Sequence, residues 1–213
     1  MDETALLAAC KQHHGYQTPH LNQTLYCNFK GFGSLACLEA YTGLRALFLE
    51  GNALESTAGL PPLPELRCLF LQQNLLRTLT PGSLAAQPRL TYLNLSGNQL
   101  RGLEGLEGCG ALCTLLAADN CLAEAAALDP LVEGCPALET LDLQNNKLEG
   151  GEAVLAACAR LPALKCLYLK GNPLVSSMRS YRKATIAAIP TLTYLDDRPV
   201  FEVERLSAEA WCA

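Results

Sequence analysis

Leu66-Arg67-Cys68-Leu69-Phe70-Leu71-Gln72-Gln73-Asn74-Leu75-Leu76 has the form L-x-x-L-x-L-x-x-N-x-L, and that form occurs six times in this 213-residue chain. The other copies are Leu44-Leu47-Leu49-Asn52-Leu54, Leu90-Leu93-Leu95-Asn98-Leu100 and a weaker Leu112-Leu115-Ala117-Asn120-Leu122. Leu138-Leu141-Leu143-Asn146-Leu148 and Leu164-Leu167-Leu169-Asn172-Leu174 follow in phase. In each copy x-L-x-L-x alternates with period two, so the leucines face one side of a short strand and the variable residues the other. Such strands stack in parallel about 4.8 Å apart. The asparagine turns the chain back, and its amide is able to satisfy backbone groups buried in that turn, including those of the next copy. Each leucine stabilises by roughly 1.5–3 kcal/mol once a neighbouring copy covers it.

The expected fold is therefore an α/β leucine-rich-repeat solenoid, and its repeats resemble those of SDS22-like proteins. A parallel β-ribbon lines its concave face, and short helices or 3₁₀ turns form its convex face. Successive second leucines are 22, 24, 22, 26 and 26 residues apart. The short units have room for little more than a turn outside, whereas residues 123–133 and 149–160 are rich in Ala, Leu and Glu and predict helices. Residues 1–43 read as an N-terminal cap and a degenerate first repeat, 44–177 as six repeats, and 178–213 as a C-terminal cap, making one domain. Residues 4–12 and 178–189 predict capping helices; Tyr181, Thr185, Ile186 and Ile189 should face inward in the second. Leu25, Cys27 and Phe32 suit the core of the first repeat, but Lys30 stands in its asparagine position, so the ladder should stop short of it. Leu192 and Leu195 predict a last strand, Asp196 should cap backbone donors or pair with Arg198, and Val200, Phe201 and Trp211 should cover the open edge.

Half of the residues are hydrophobic and 17% charged, which suits a continuous core. The net charge is −5 and Lys and Arg form no block, so neither nucleic acid nor an acidic membrane is an expected partner. The eleven cysteines are odd in number, irregularly spaced and without C-x-x-C; Cys68 and Cys166 simply sit beside repeat leucines. With Asp2 and Glu3 at the start and no long apolar run, neither a signal peptide nor a membrane span is expected, and a reducing compartment follows. His13, His14 and His20 with Cys10 lack the second cysteine pair of a zinc finger, and the histidines read as surface residues near a capping helix. Gly102, Gly105, Gly108 and Gly110 have no phosphate-loop context and suit a tight outer turn. Without a nucleophile–base pair and its orienting third group, no catalytic residue, metal or cofactor is expected.

The concave face is the candidate site. Its central column reads Tyr26, Phe48, Phe70, Asn94, Leu116, Asp142, Tyr168 and Asp196, flanked by Tyr92 on one side and by Glu50, Gln72 and Gln144 on the other. Tyr26, Phe48, Phe70 and Tyr92 should form an exposed apolar patch for a partner protein, the alternative being cross-strand pairs that only stabilise the ribbon.

Beyond the repeats, Tyr16, Thr18-Pro19, Leu21-Asn22 and Thr24-Leu25-Tyr26 lead to Phe29-Lys30-Gly31-Phe32, and Tyr41-Thr42-Gly43-Leu44-Arg45 follows. Tyr181-Arg182-Lys183, Leu192-Thr193-Tyr194-Leu195-Asp196-Asp197-Arg198-Pro199-Val200-Phe201 and Glu209-Ala210-Trp211 close the chain. This wording resembles the dynein axonemal assembly factor 1 family, and its Ala- and Gly-rich character resembles a green-algal member. Departures from the family wording are Cys27, Ala117 and Glu202-Val203. The resemblance implies a non-enzymatic scaffold needed for cytoplasmic preassembly of outer-arm dynein in motile cilia. Axonemal dynein chains, other assembly factors and chaperones are the partners it implies, with a monomer expected. A structural axoneme component linking dynein arms, or a regulatory subunit of an enzyme such as a phosphatase, are the alternatives.

Overall fold

The computed structural model describes residues 1–212, without the side chain of residue 212. Nine strands form one sheet in sequence order: β1 (Thr24–Tyr26), β2 (Ala46–Phe48), β3 (Cys68–Phe70), β4 (Tyr92–Asn94), β5 (Thr114–Leu116), β6 (Thr140–Asp142), β7 (Cys166–Tyr168), β8 (Tyr194–Leu195) and β9 (Arg198–Pro199). The first eight pair in parallel, with Leu25, Leu47, Leu69, Leu93, Leu115, Leu141, Leu167 and Leu195 in register; β9 turns back antiparallel on β8. From β2 to β7 the central leucine is fully buried and both neighbours are half-buried, the burial expected of a ribbon with one covered face. Buried leucines continue through every turn, so neighbouring repeats share one core.

Four residues beyond the central leucine, each repeat passes through the left-handed region, at Phe29, Gly51, Gln73, Gly97, Asp119, Asn145 and Gly171. This turn brings the next residue back under the strands, and from Asn52 to Asn172 that residue is the asparagine. Glycine adopts such a φ without steric cost; Asp and Asn tolerate it better than other side chains. On the outer face, the glycine-rich turn has positive φ at Gly105 and Gly108 but not at Gly102 or Gly110.

The convex face thickens towards the C-terminal end. Residues 123–133 do not form one helix. A 3₁₀ turn, Ala125–Leu128, precedes α2 (Asp129–Gly134), because Pro130 lacks an N–H and fits only a helix start. Numbering in chain order, α1 is Glu3–Gln12, capped by the Asp2 carboxylate accepting from Ala5 N at 2.8 Å, and α3 is Gly151–Ala159. The segment 178–189 is helical only from Tyr181: α4 (Pro173–Ser177) and a left-handed Ser180 precede α5 (Tyr181–Ala188). Thr185, Ile186 and Ile189 are buried, and Tyr181 is half-buried.

Phe201 and Trp211 do not cover the open edge: they are 60% and 45% exposed, while Val200 packs half-buried against the core. Residues 202–212 form α6 (Glu202–Cys212), which turns Glu204, Arg205 and the fully buried Ala208 towards the body and sends Trp211 to its flank. The edge is closed by polar groups. Arg182 donates to both Glu204 carboxylate oxygens (2.8 and 2.9 Å), to Leu195 O (3.1 Å) and to Pro199 O (2.8 Å). Arg205 donates to Leu192 O at 2.5 Å.

Ten cysteines are unpaired among the described side chains. Burial pushes the thiols of Cys27, Cys135 and Cys158 up to about 12, so they are inert core side chains rather than reactive ones. No helix among the described residues is long and apolar enough to cross a membrane.

Candidate functional site: the concave ribbon

Two ladders flank the strands. On the turn side, Asn52, Asn74, Asn98, Asn120, Asn146 and Asn172 are all buried. Asn98 shows the pattern: its Oδ1 accepts from Leu76 N (3.0 Å), and its Nδ2 donates to Leu71 O (3.0 Å) and Leu95 O (2.9 Å). One amide thus joins its own turn to the preceding repeat. Asn74, Asn120, Asn146 and Asn172 bond in the same way. Asn52 begins the ladder, accepting from Lys30 N and Phe32 N and donating to Cys27 O and Leu49 O; the Lys30 side chain instead donates to Gln12 Oε1. Beyond Asn172 the strand ends early, at a left-handed Asp196. Its Oδ1 accepts from Leu169 N (2.8 Å) and Lys170 N (3.1 Å), and its Oδ2 accepts from Tyr181 OH (3.0 Å). Arg198 pairs with Glu204, not with Asp196.

On the open side the aromatic residues stack. Ring centroids of Tyr26 and Phe48 are 4.7 Å apart, those of Phe48 and Phe70 4.3 Å with planes within 5°, and those of Phe70 and Tyr92 5.2 Å with a 41° tilt. Parallel in-register strands dictate the spacing of Tyr26, Phe48 and Phe70, since like positions recur at the strand separation, whereas Tyr92 pairs with Cys68 and meets Phe70 diagonally. His13, the residue capping the C-terminal end of α1, adds a fifth ring 4.7 Å from Tyr26. No periodic signal in the sequence marks this contact. Only Tyr26 of the four aromatics is counted as exposed, at 37%; Phe48, Phe70 and Tyr92 are half-buried, because each ring covers its neighbour's face. Burial, with Cys68 adding to it, raises the Tyr92 hydroxyl pKa.

The ring column stops at Asn94, whose Oδ1 accepts from Ser96 N at 3.0 Å. Further along stand half-buried Leu116, Asp142 and Tyr168. Burial raises the Asp142 carboxyl pKa, with Asp119 and Asp196 adding to it, while a bond from Gln144 N opposes the shift. Tyr168 lies 5.8 Å from Tyr194, apart from the first ring group. Glu50 and Gln72, two residues beyond Phe48 and Phe70, are half-buried; Glu50 Oε2 and Gln72 Oε1 are enclosed without a hydrogen-bond partner. Among the described residues no three His, Cys, Asp or Glu side chains come together to hold a metal, and His13 belongs to the ring stack. A separate groove of ≈ 1330 Å³ lies on the convex side, bounded by Gly151, Ala156, Met178, Ala184, Ala188 and Trp211.

Two models described as leucine rich repeat match the chain, one over residues 42–100 and the other over 89–115 and 137–157. Among solved structures, an internalin of Listeria monocytogenes superposes with a TM-score of 0.68 at 20% identity, covering 91% of this chain and 54% of the other. Internalin C2 of the same species superposes at 0.59 and 22% identity, covering 90% and 91%. These show the fold alone. The chain is 54% identical to the leucine-rich repeat-containing protein ODA7 of Chlamydomonas reinhardtii, over 99% of the chain and 48% of that protein. It is 42% identical to the dynein axonemal assembly factor 1 homolog of Drosophila yakuba, over 99% of the chain and 14% of that protein. The chain thus spans about half the length of the algal relative and a smaller part of the fly one. It has the leucine-rich-repeat fold, and over almost its whole length it is similar to the algal leucine-rich repeat-containing protein and to a fly dynein axonemal assembly factor 1 homolog.

Proposed function

We propose that this chain is a non-enzymatic protein-binding scaffold that acts in assembling axonemal dynein. The carrying observation is 54% identity to the algal relative across 99% of the chain. That likeness includes the caps as well as the repeats, whereas the solenoid alone is shared with bacterial proteins at 20–22% identity. The structural support is the ribbon itself. Its leucines face the core, so the side chains on the concave face are free to vary with the partner. Tyr26, Phe48, Phe70 and Tyr92, with Glu50 and Gln72 beside them, are the proposed contact surface; Leu116, Asp142 and Tyr168 extend it. Aromatic side chains held by a rigid scaffold supply large contact area at little entropic cost. Axonemal dynein chains, other assembly factors and chaperones are the proposed partners, and the cytoplasm, with association to the axoneme, is the proposed place of action.

The test is affinity capture from cytoplasm of ciliated cells with the wild type and Phe70→Ser, after thermal unfolding shows both folded. Axonemal dynein chains recovered with the wild type and depleted at least tenfold with the variant are the expected result. Recovery of a phosphatase catalytic subunit in place of dynein would favour the regulatory-subunit alternative. Co-sedimentation with washed axonemes, without soluble complexes, would favour the axonemal one.

A further inference from the structure

We propose that the outward face of α6 is a second docking surface, which takes an amphipathic helix of a partner protein whose apolar stripe is edged by lysine or arginine. This goes beyond the concave ribbon, which uses none of these residues.

α6 lies on the body with its polar side inward. Glu204 is held by Arg182 and Arg198, Arg205 donates to Leu192 O, and Ala208 is fully buried. These bonds keep the helix from rolling over, so its apolar residues stay outside. Val203, Leu206 and Ala210 recur at i, i+3 and i+7, which is one stripe of a helix. All three are exposed, Val203 to 78% and Leu206 to 58%. Phe201, Val203, Leu206 and Trp211 are four of the nine exposed large hydrophobic side chains among the described residues. Single apolar residues are ordinary at a surface, whereas a cluster of them marks a contact.

Charge decides what covers the stripe. Glu202 and Glu209 are related as i and i+7, so they form one row beside it. Both are exposed, and neither enters any of the five ion pairs among the described residues. Glu202 suits the start of a helix, but Glu209, near its end, opposes the helix dipole, so the helix itself does not call for it. Arg205, the only base in α6, is turned inward. Glu209 and Trp211 also border the convex groove, whose other charged residues are Glu152 and Arg179. The surface is thus apolar with an acidic edge. A second copy of α6 would bring the same carboxylates and no free base, and an anionic membrane would be repelled. A helix with basic edges supplies both apolar contact for the stripe and cations for the free carboxylates.

The experiment measures fluorescence-anisotropy binding of two labelled model helices to the whole chain. Both carry the same leucine stripe; lysines edge one and glutamates the other. The lysine-edged helix should bind about tenfold tighter. Leu206→Glu, at an exposed position the core does not use, should weaken that binding about tenfold. Glu202→Lys with Glu209→Lys should reverse the preference. Glu55→Lys with Glu104→Lys, the same charge change at exposed sites in earlier repeats, should leave it in place. Phe70→Ser should bind the helix as the wild type does, which separates failure of this surface from failure of the concave one. Equal binding of the two helices, no binding of either, a preference that survives the α6 reversal, or one reversed by the control pair would each overturn the proposal. Self-association or binding to phosphatidylcholine vesicles that Leu206→Glu abolishes would assign the face to a second copy or to a membrane, and overturn it as well.

Discussion

The asparagine ladder and the ring ladder run along the same strands under opposite constraints. The asparagines are polar and buried, yet their amides are met by backbone partners on both sides. The rings are apolar, yet they remain at the surface and cover only one another. The first ladder recurs in all six repeats, because every turn buries the same backbone groups and needs the same amide. The second extends from Tyr26 to Tyr92 and then gives way to Asn94, Leu116 and Asp142, because nothing in the fold requires a ring there. A position fixed by backbone geometry repeats; a position free of it is available to a partner.

The sharpest way to break this contrast is Asn98→Ala. The change strands Leu76 N, and Leu71 O and Leu95 O each lose one of two amide donors, keeping Asn74 Nδ2 and Asn120 Nδ2. At roughly 1–3 kcal/mol for the one unsatisfied buried group and about 0.5 kcal/mol for each carbonyl bond lost, the expected loss is about 3 kcal/mol. For a chain of this size that lowers Tm by roughly 6–12 °C. A Tm within about 2 °C of wild type would show that the asparagines do not hold the turns.

Phe70→Ser tests the other side. The ring has two neighbours, Phe48 at 4.3 Å and Tyr92 at 5.2 Å, and such contacts contribute about 0.5–1.5 kcal/mol each. The expected loss in chemical denaturation is therefore about 2 kcal/mol, less than for Asn98→Ala, although a far larger side chain is removed. A larger loss than for Asn98→Ala would make the rings part of the fold and erase the distinction between the ladders.

The difference between the ladders also explains what the sequence discloses. Leucine and asparagine recur at fixed offsets because each answers a geometric need, so strands, register and turns are legible from six copies. The left-handed turn residue is only partly legible: Gly51, Gly97 and Gly171 suggest it, but Gln73 in the same place does not. The two ends are least legible, since they are built once. α6 meets the body through Glu204 and Arg205, whose polarity resembles a solvent face, so the apolar Phe201 and Trp211 are the obvious but mistaken choice of lid. The aromatic column is readable, but not its degree of exposure, because sequence alone does not show that the rings stack.

The end of the asparagine ladder gives a pH test. Arg182, which bonds Leu195 O at the last parallel strand, also holds the Glu204 carboxyl down from 4.5 to about 2. A depressed carboxyl contributes stability that is fully present above its unfolded value, near 4.5, and is lost as pH falls towards 2. The Glu204 side chain is 27% exposed, so solvent screening reduces the expected contribution to about 1 kcal/mol. Glu204→Gln should be less stable than wild type by that amount at pH 7, and the two should converge by about pH 2. A gap independent of pH would show that the pair is not what closes the edge.

The end of the ring ladder should give the smallest effect. His13 meets Tyr26 at 4.7 Å with a 40° tilt, and both residues are exposed. Water already competes for such a contact, so its contribution should lie at the lower limit for aromatic pairs, about 0.5 kcal/mol. Removing either side chain alone also alters α1 or the Phe48 stack, so a single variant does not isolate the contact. A double-mutant cycle does: His13→Ala and Tyr26→Ser, separately and together, followed by chemical denaturation. A coupling of about 0.5 kcal/mol would place the cap within the ladder, tying the first helix to the concave surface through a side chain that the repeat pattern does not contain. Strict additivity would end the ladder at Tyr26 and leave His13 an incidental neighbour.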